Sequence, residues 1–168
     1  MSYQEKRTIV SIITGLFILI AYCVYAYGKL QSGAITTDDM RFWASTMLIF
    51  IGIGIVSTII IQIVFHILLS VAIAIQEKVQ NNKCDDKEIE KTIEVEMVTD
   101  EMDKLIELKS MRIGFITVGV GFIAALVSLV LSYSPAAMLN IVFVSFGAGS
   151  ILEGFTQLYY YRTGVKNG

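Results

Sequence analysis

Residues 42–75 contain no Asp, Glu, Lys or Arg, and that run restricts the fold more than any other feature of the chain. Wound as one helix it is about 50 Å long, and no proline interrupts it. A helix that is apolar around its whole circumference is stable only inside a large core or in lipid. A chain of 168 residues cannot enclose one of this length. Three further stretches, 8–27, 113–133 and 136–159, are apolar enough to cross the roughly 30 Å of bilayer hydrocarbon, which takes about 20 residues. Unpaired strand edges are excluded in lipid, where each unsatisfied backbone group costs several kcal/mol. The expected fold is therefore all-α, a four-helix transmembrane bundle.

Composition agrees once charge is placed along the chain. Hydrophobic residues make up 55% of the sequence, above the share usual for a soluble domain. Eleven of the fifteen acids fall between Glu77 and Glu107, whereas a soluble fold scatters them over its surface. Three parts follow: a first transmembrane hairpin (1–76), a charged connector (77–109) and a second hairpin (110–168). In the connector Val98, Met102, Leu105 and Ile106 recur at helical spacing, which predicts an amphipathic helix over about 94–109 running into the third span. Residues 81–86 read as the turn before it. The long second run either protrudes beyond the bilayer as one helix, the form expected here, or bends near His66.

Basic residues set the orientation. Lys6, Arg7, Lys78, Lys83, Lys87, Lys91, Lys104, Lys109, Arg112, Arg162 and Lys166 gather on one side, against Lys29 and Arg41 on the other. Both termini are thus expected in the cytoplasm. Lys6 and Arg7 before an apolar run imitate a secretory leader. Tyr22 ahead of Cys23 is not the small residue a lipoprotein cleavage site wants, so the first span is expected to stay. Cys23 and Cys84 lie far apart in this topology and read as free thiols.

The two hairpins match in places. Gly52-Ile-Gly54 with Gln62 to His66 corresponds, at one constant offset, to Gly147-Ala-Gly149 with Gln157 to Tyr161. Arg7 enters the first span as Arg112 enters the third. The expectation is two copies of one hairpin related by a two-fold axis along the membrane normal. The match defines two stripes at four-residue spacing: Gly54, Thr58, Gln62 and His66 in the second span, and Gly149, Glu153, Gln157 and Tyr161 in the fourth. They form either a polar path between those helices or, the favoured reading, packing surfaces of small and hydrogen-bonding residues. Thr117, Gly121 and Ala125 make a similar stripe in the third span.

Glu153 is the one acid inside a span, which by default suggests a functional site. Its place one turn inside Gln157 favours instead an ion pair with Arg7 or Arg112. His66, the sole histidine, has no companion ligands for a metal or haem and reads as a packed residue. Tyr22, Tyr25 and Tyr27 with Trp43 read as one interfacial aromatic belt, and Tyr159 to Tyr161 with Arg162 as the other. Asp38 and Asp39 favour a helix start, with only a weak case for a cation site. No catalytic set, phosphate loop, metal cluster or basic stripe is present in the sequence, so no enzyme, cofactor or nucleic-acid partner is expected.

The run Asp100-Glu-Met-Asp-Lys-Leu-Ile-Glu-Leu-Lys109, then Arg112-Ile-Gly, with the ending Gln157-Leu-Tyr-Tyr-Tyr-Arg162, resembles small uncharacterised bacterial four-helix inner-membrane proteins. The resemblance covers the second half and implies a bacterial inner-membrane location without a mechanism. The expected function is a non-enzymatic, homo-oligomeric scaffold or regulatory membrane component in contact with lipid. The alternatives are a small transporter or channel near Glu153, or a sensor docking a cytoplasmic protein through its acidic helix.

Overall fold

The computed structural model describes residues 3–33, 35–80 and 100–165. They form α1 (Tyr3–Gln31), α2 (Met40–Gln80), α3 (Glu101–Val130) and α4 (Pro135–Thr163). All four helices are long and apolar enough to cross a membrane. The fold is an all-α four-helix bundle of two antiparallel hairpins, so the N-terminus of α1 and the C-terminus of α4 share one end. The expected turn over 81–86, and the stretch 94–99 with Val98, lie outside the described residues.

Local chemistry sets the helix ends. Asp39 accepts a hydrogen bond from the Phe42 N–H (3.1 Å) and so starts α2. The Trp43 indole N–H donates to the Thr36 carbonyl (3.2 Å), tying the α1–α2 loop to the same turn. Asp100 caps α3 reciprocally: its carboxylate accepts from the Asp103 N–H, and the Asp103 carboxylate accepts from the Asp100 N–H. The acidic helix thus begins at Glu101 and continues unbroken into the third span. Ile106 is its buried residue, while Met102 and Leu105 lie at the surface. The only proline, Pro135, stands in the first turn of α4, where a missing N–H costs nothing, with Ser134 as cap. α2 runs as one unbroken helix past His66, Met40 to Gln80, about 60 Å in all.

Packing is uneven. α4 lies against α3 along most of its length and also against α1 and α2, while α1 touches α2 and α4. Close approach explains the first two contacts. A Cβ built on Gly149 would stand 3.0 Å from the Gly114 carbonyl oxygen of α3, and one on Gly154 would stand 2.5 Å from Ile12 Cγ1 of α1. α2 is held chiefly at the loop end, where Trp43 and Met47 join Tyr22, Ala26, Ile35 and Ala136 in a buried cluster. Its most apolar stretch buries no residue within the chain. Tyr22 and Trp43 are therefore core residues and not belt anchors, with 1% and 4% of their surface exposed. Tyr25 and Tyr27 do stay exposed.

This pattern corrects the expected two-fold symmetry. Exchanging the hairpins about such an axis maps the extensive α1–α4 contact onto α2–α3, and α2 and α3 share no extensive contact. The second and fourth spans occupy inequivalent places. The physical reason is that α4 is small on two faces, Gly149 toward α3 and Gly154 toward α1, whereas α2 carries isoleucine and valine on nearly every face.

The asymmetry is testable. Gly154→Leu should force α1 away from α4 and lower stability by about 1–3 kcal/mol, the usual cost of overpacking. Gly119→Leu, where an added Cβ meets nothing within 4 Å, should be tolerated. Melting curves of the two variants in one detergent check this, and equal losses would contradict the packing described.

Candidate functional site

Polar residues of all four helices meet at the end that holds both termini. Gln4, Arg7, Thr8 and Ser11 recur on one face of the first turns of α1, at spacings of three and four. Gln62 of α2, Asp103 and Glu107 of α3, and Gln157 and Tyr161 of α4 complete a cavity of about 170 Å³. That volume is ample for several waters. The walls combine one cation, two carboxylates, amides and hydroxyls, in a bundle that is otherwise apolar.

Consecutive residues of α1 tie the other two elements together. Arg7 Nη2 donates to Gln62 Oε1 of α2 (3.4 Å). The Thr8 hydroxyl lies 2.9 Å from the Gln4 carbonyl oxygen and 3.1 Å from Gln157 Oε1 of α4. One hydroxyl proton serves one acceptor at a time, so Thr8 divides its proton between the Gln4 carbonyl and Gln157 Oε1. Thr8 is buried (7% exposed), which makes the contact costly to leave half-made. On the α3 side, the Tyr161 phenol faces the Asp103 carboxylate across the same cavity. The acidic start of α3 therefore turns Asp103 and Glu107 inward.

The structure divides the two stripes. Gln62, Gln157 and Tyr161 meet in the vestibule together with Arg7. Thr58 lies just above, in a crevice shared with Arg7, Ser11 and Thr14. Gly54 packs on Ile18 of α1, and His66 stands edge-on to the Tyr3 ring with centroids 6.4 Å apart. Gly149 and Glu153, in contrast, face Gly114 of α3. The upper α2 stripe thus packs on α1 and the upper α4 stripe on α3, and the two stripes come together in the vestibule at Gln62, Gln157 and Tyr161. A four-residue step advances about 40° around a helix of 3.6 residues per turn. Along α4 that drift carries the stripe from α3 at Gly149 to the vestibule at Gln157.

The same geometry corrects the expected ion pair. Arg7 is engaged with Gln62 in the vestibule, and Arg112 is exposed on α3. The Glu153 carboxylate lies in a separate groove against Gly114. Gln4, Thr8 and Ser11, and the inward direction of Asp103 and Glu107, were not singled out from sequence. Their signal is a polar face at three- and four-residue spacing within otherwise apolar or mixed helices.

At the opposite end an aromatic cluster packs the helices together, beside a mainly apolar groove of about 320 Å³ that Tyr22, Trp43 and Asn140 line. The Tyr22 hydroxyl donates to Asn140 Oδ1 (2.7 Å), and its ring packs on Phe143 and Phe50 with centroids 4.2 and 5.3 Å apart. The Tyr22–Asn140 bond lies among aromatic and aliphatic side chains.

A double-mutant cycle tests the Thr8–Gln157 contact. Thr8→Val and Gln157→Leu should each cost about 1 kcal/mol by stranding the partner, and the double variant should lose less than the sum. Additive losses in detergent unfolding would show that the two side chains do not interact. No known protein family, curated protein or solved structure matches this chain.

Proposed function

We propose that the chain is a non-enzymatic, multi-pass membrane protein that acts as a regulatory component by holding a small polar ligand in its vestibule. One observation carries this reading: all four helices place polar side chains around one cavity at a single end of an apolar bundle. A ligand there touches every helix at once. Its binding favours one helix spacing over another to the extent that its affinity for the two differs.

The charge distribution supports a cytoplasmic location for the vestibule. Lys6, Arg7, Lys104, Lys109, Arg112 and Arg162 flank that end, and Lys29 and Arg41 the other, the bias that keeps basic loops inside. Both termini are then cytoplasmic, and the resemblance described above favours a bacterial inner membrane. The bare apolar surface of α2 supports a homo-oligomer in which α2 meets lipid and its own copies. The outward face of α3, with Glu101, Met102, Leu105 and Leu108 exposed, supports docking of a cytoplasmic protein. A transporter is the second reading, since a polar cavity at one end of the bundle and a packed aromatic cluster at the other fit one state in alternating access.

Thiol labelling tests whether the vestibule opens to the cytoplasm. In a variant with Cys23→Ser and Cys84→Ser, Ser11→Cys should react with an impermeant thiol reagent in inside-out vesicles and not in intact cells. Gln31→Cys and Ser134→Cys should show the reverse. Reaction of Ser11→Cys from outside, or from neither side, overturns the cytoplasmic vestibule. Native mass spectrometry from mild detergent should show a multimer, and a monomer alone removes the oligomer.

A further inference from the structure

Glu153 lies outside the vestibule and needs its own account. Its side chain enters a groove of about 300 Å³ between α3 and α4. Phe115 and Val118 of α3 and Phe146 of α4 line that groove, with Gly114 and Gly149 at its floor. Ser150 is the other polar residue on it. The carboxylate does not reach down toward the bundle's end. It lies across the α3 backbone, with Oε2 3.0 Å from where a Gly114 Cβ would stand.

Among the described residues, no cation lines the groove beside it. On α3, Met111 lines the groove, while the next residue, Arg112, is exposed and does not line it. Glu107, further down α3, is a like charge and lines the vestibule. Lys109 of α3 also lies below the groove and does not line it. On α1, Arg7 is bonded to Gln62. An unpaired carboxylate in apolar surroundings takes up a proton in preference to staying ionised.

We propose that Glu153 is a proton-binding carboxyl open to the lipid side of the α3–α4 groove, held as the neutral acid in the folded protein. The ligand class is a proton, and the groove has room for an apolar reagent beside the carboxyl. A hydrophobic carbodiimide makes the site visible. The carboxyl proton passes to one nitrogen of the reagent, and the carboxylate oxygen adds to its central carbon to give an O-acylisourea. An oxygen-to-nitrogen acyl shift then leaves a stable N-acylurea. The whole reagent is added and nothing is lost. The reaction needs the protonated acid and a site the apolar reagent can enter, and both follow from this geometry.

The experiment uses the full chain in mild detergent, with dicyclohexylcarbodiimide as probe and peptide mass spectrometry as readout. One adduct is expected on the Glu153 peptide at pH 7, absent in Glu153→Gln, with a rate that falls as alkali ionises the acid. A water-soluble carbodiimide should instead modify the vestibule acids Asp103 and Glu107 and spare Glu153. Glu153→Gln, the neutral isostere of the proposed state, should melt at the wild-type temperature. Three results overturn the proposal: no apolar adduct on Glu153 at or below pH 7, equal labelling of Glu153 by both reagents, or a lowered melting temperature in Glu153→Gln. None of these outcomes bears on the vestibule, so the two readings stand or fall separately.

Discussion

A side chain at Gly154 would collide with Ile12, and one at Gly149 would press on the Gly114 carbonyl. The backbone of α4 is thereby in contact with two helices at once. In lipid, where apolar side chains gain nothing by leaving one hydrocarbon for another, such backbone contact is a main source of helix association. It fixes α4 as the shared neighbour of α1 and α3. The vestibule follows from that arrangement, because Thr8 of α1 reaches Gln157 only while Gly154, one turn higher on α4, keeps the helices close. Removing the close approach would spread the lining residues before it exposed any core.

The bundle spends its polar groups unevenly. At the loop end the Tyr22–Asn140 and Trp43–Thr36 hydrogen bonds lie in an aromatic cluster. At the other end amides, hydroxyls and charges surround open volume. Enclosed polar groups in hydrocarbon must pair among themselves, whereas groups beside water need not. The contrast lies in which end gathers charged side chains around its open volume.

The spans were legible in the sequence because hydrocarbon thickness sets a length that composition alone reveals. That the acidic segment is helical and runs into the third span was legible from the spacing of Met102, Leu105 and Ile106, whereas its start was expected at about residue 94 and the Asp100–Asp103 cap that begins α3 at Glu101 was not singled out. Which faces meet was not legible. Gly149, Glu153 and Gln157 share one stripe, yet the first two pack on α3 and the third on α1. Sequence spacing gives the angle around one helix and nothing about the neighbour at that angle. Tyr22 and Trp43 were misplaced for a related reason: an aromatic residue near a span's end looks alike whether it turns toward headgroups or into the core. The matched glycines and glutamines of the two halves suggested symmetry, but contacts depend on the other faces as well, and there α2 and α4 differ. Glu153 was visible as an oddity, and its assumed partner Arg112 failed because two residues at like depth on adjacent helices can still point apart.

The successive residues Arg7 and Thr8 project about 100° apart from the axis of α1, one bonded to α2 and the other to α4. Turning α1 about its own axis in either direction swings both side chains the same way around the circle, pulling at least one from its partner. The helix behaves like a keyed shaft at this end, free to bend or tilt but locked against spin, and its angular setting passes directly to the two helices it engages.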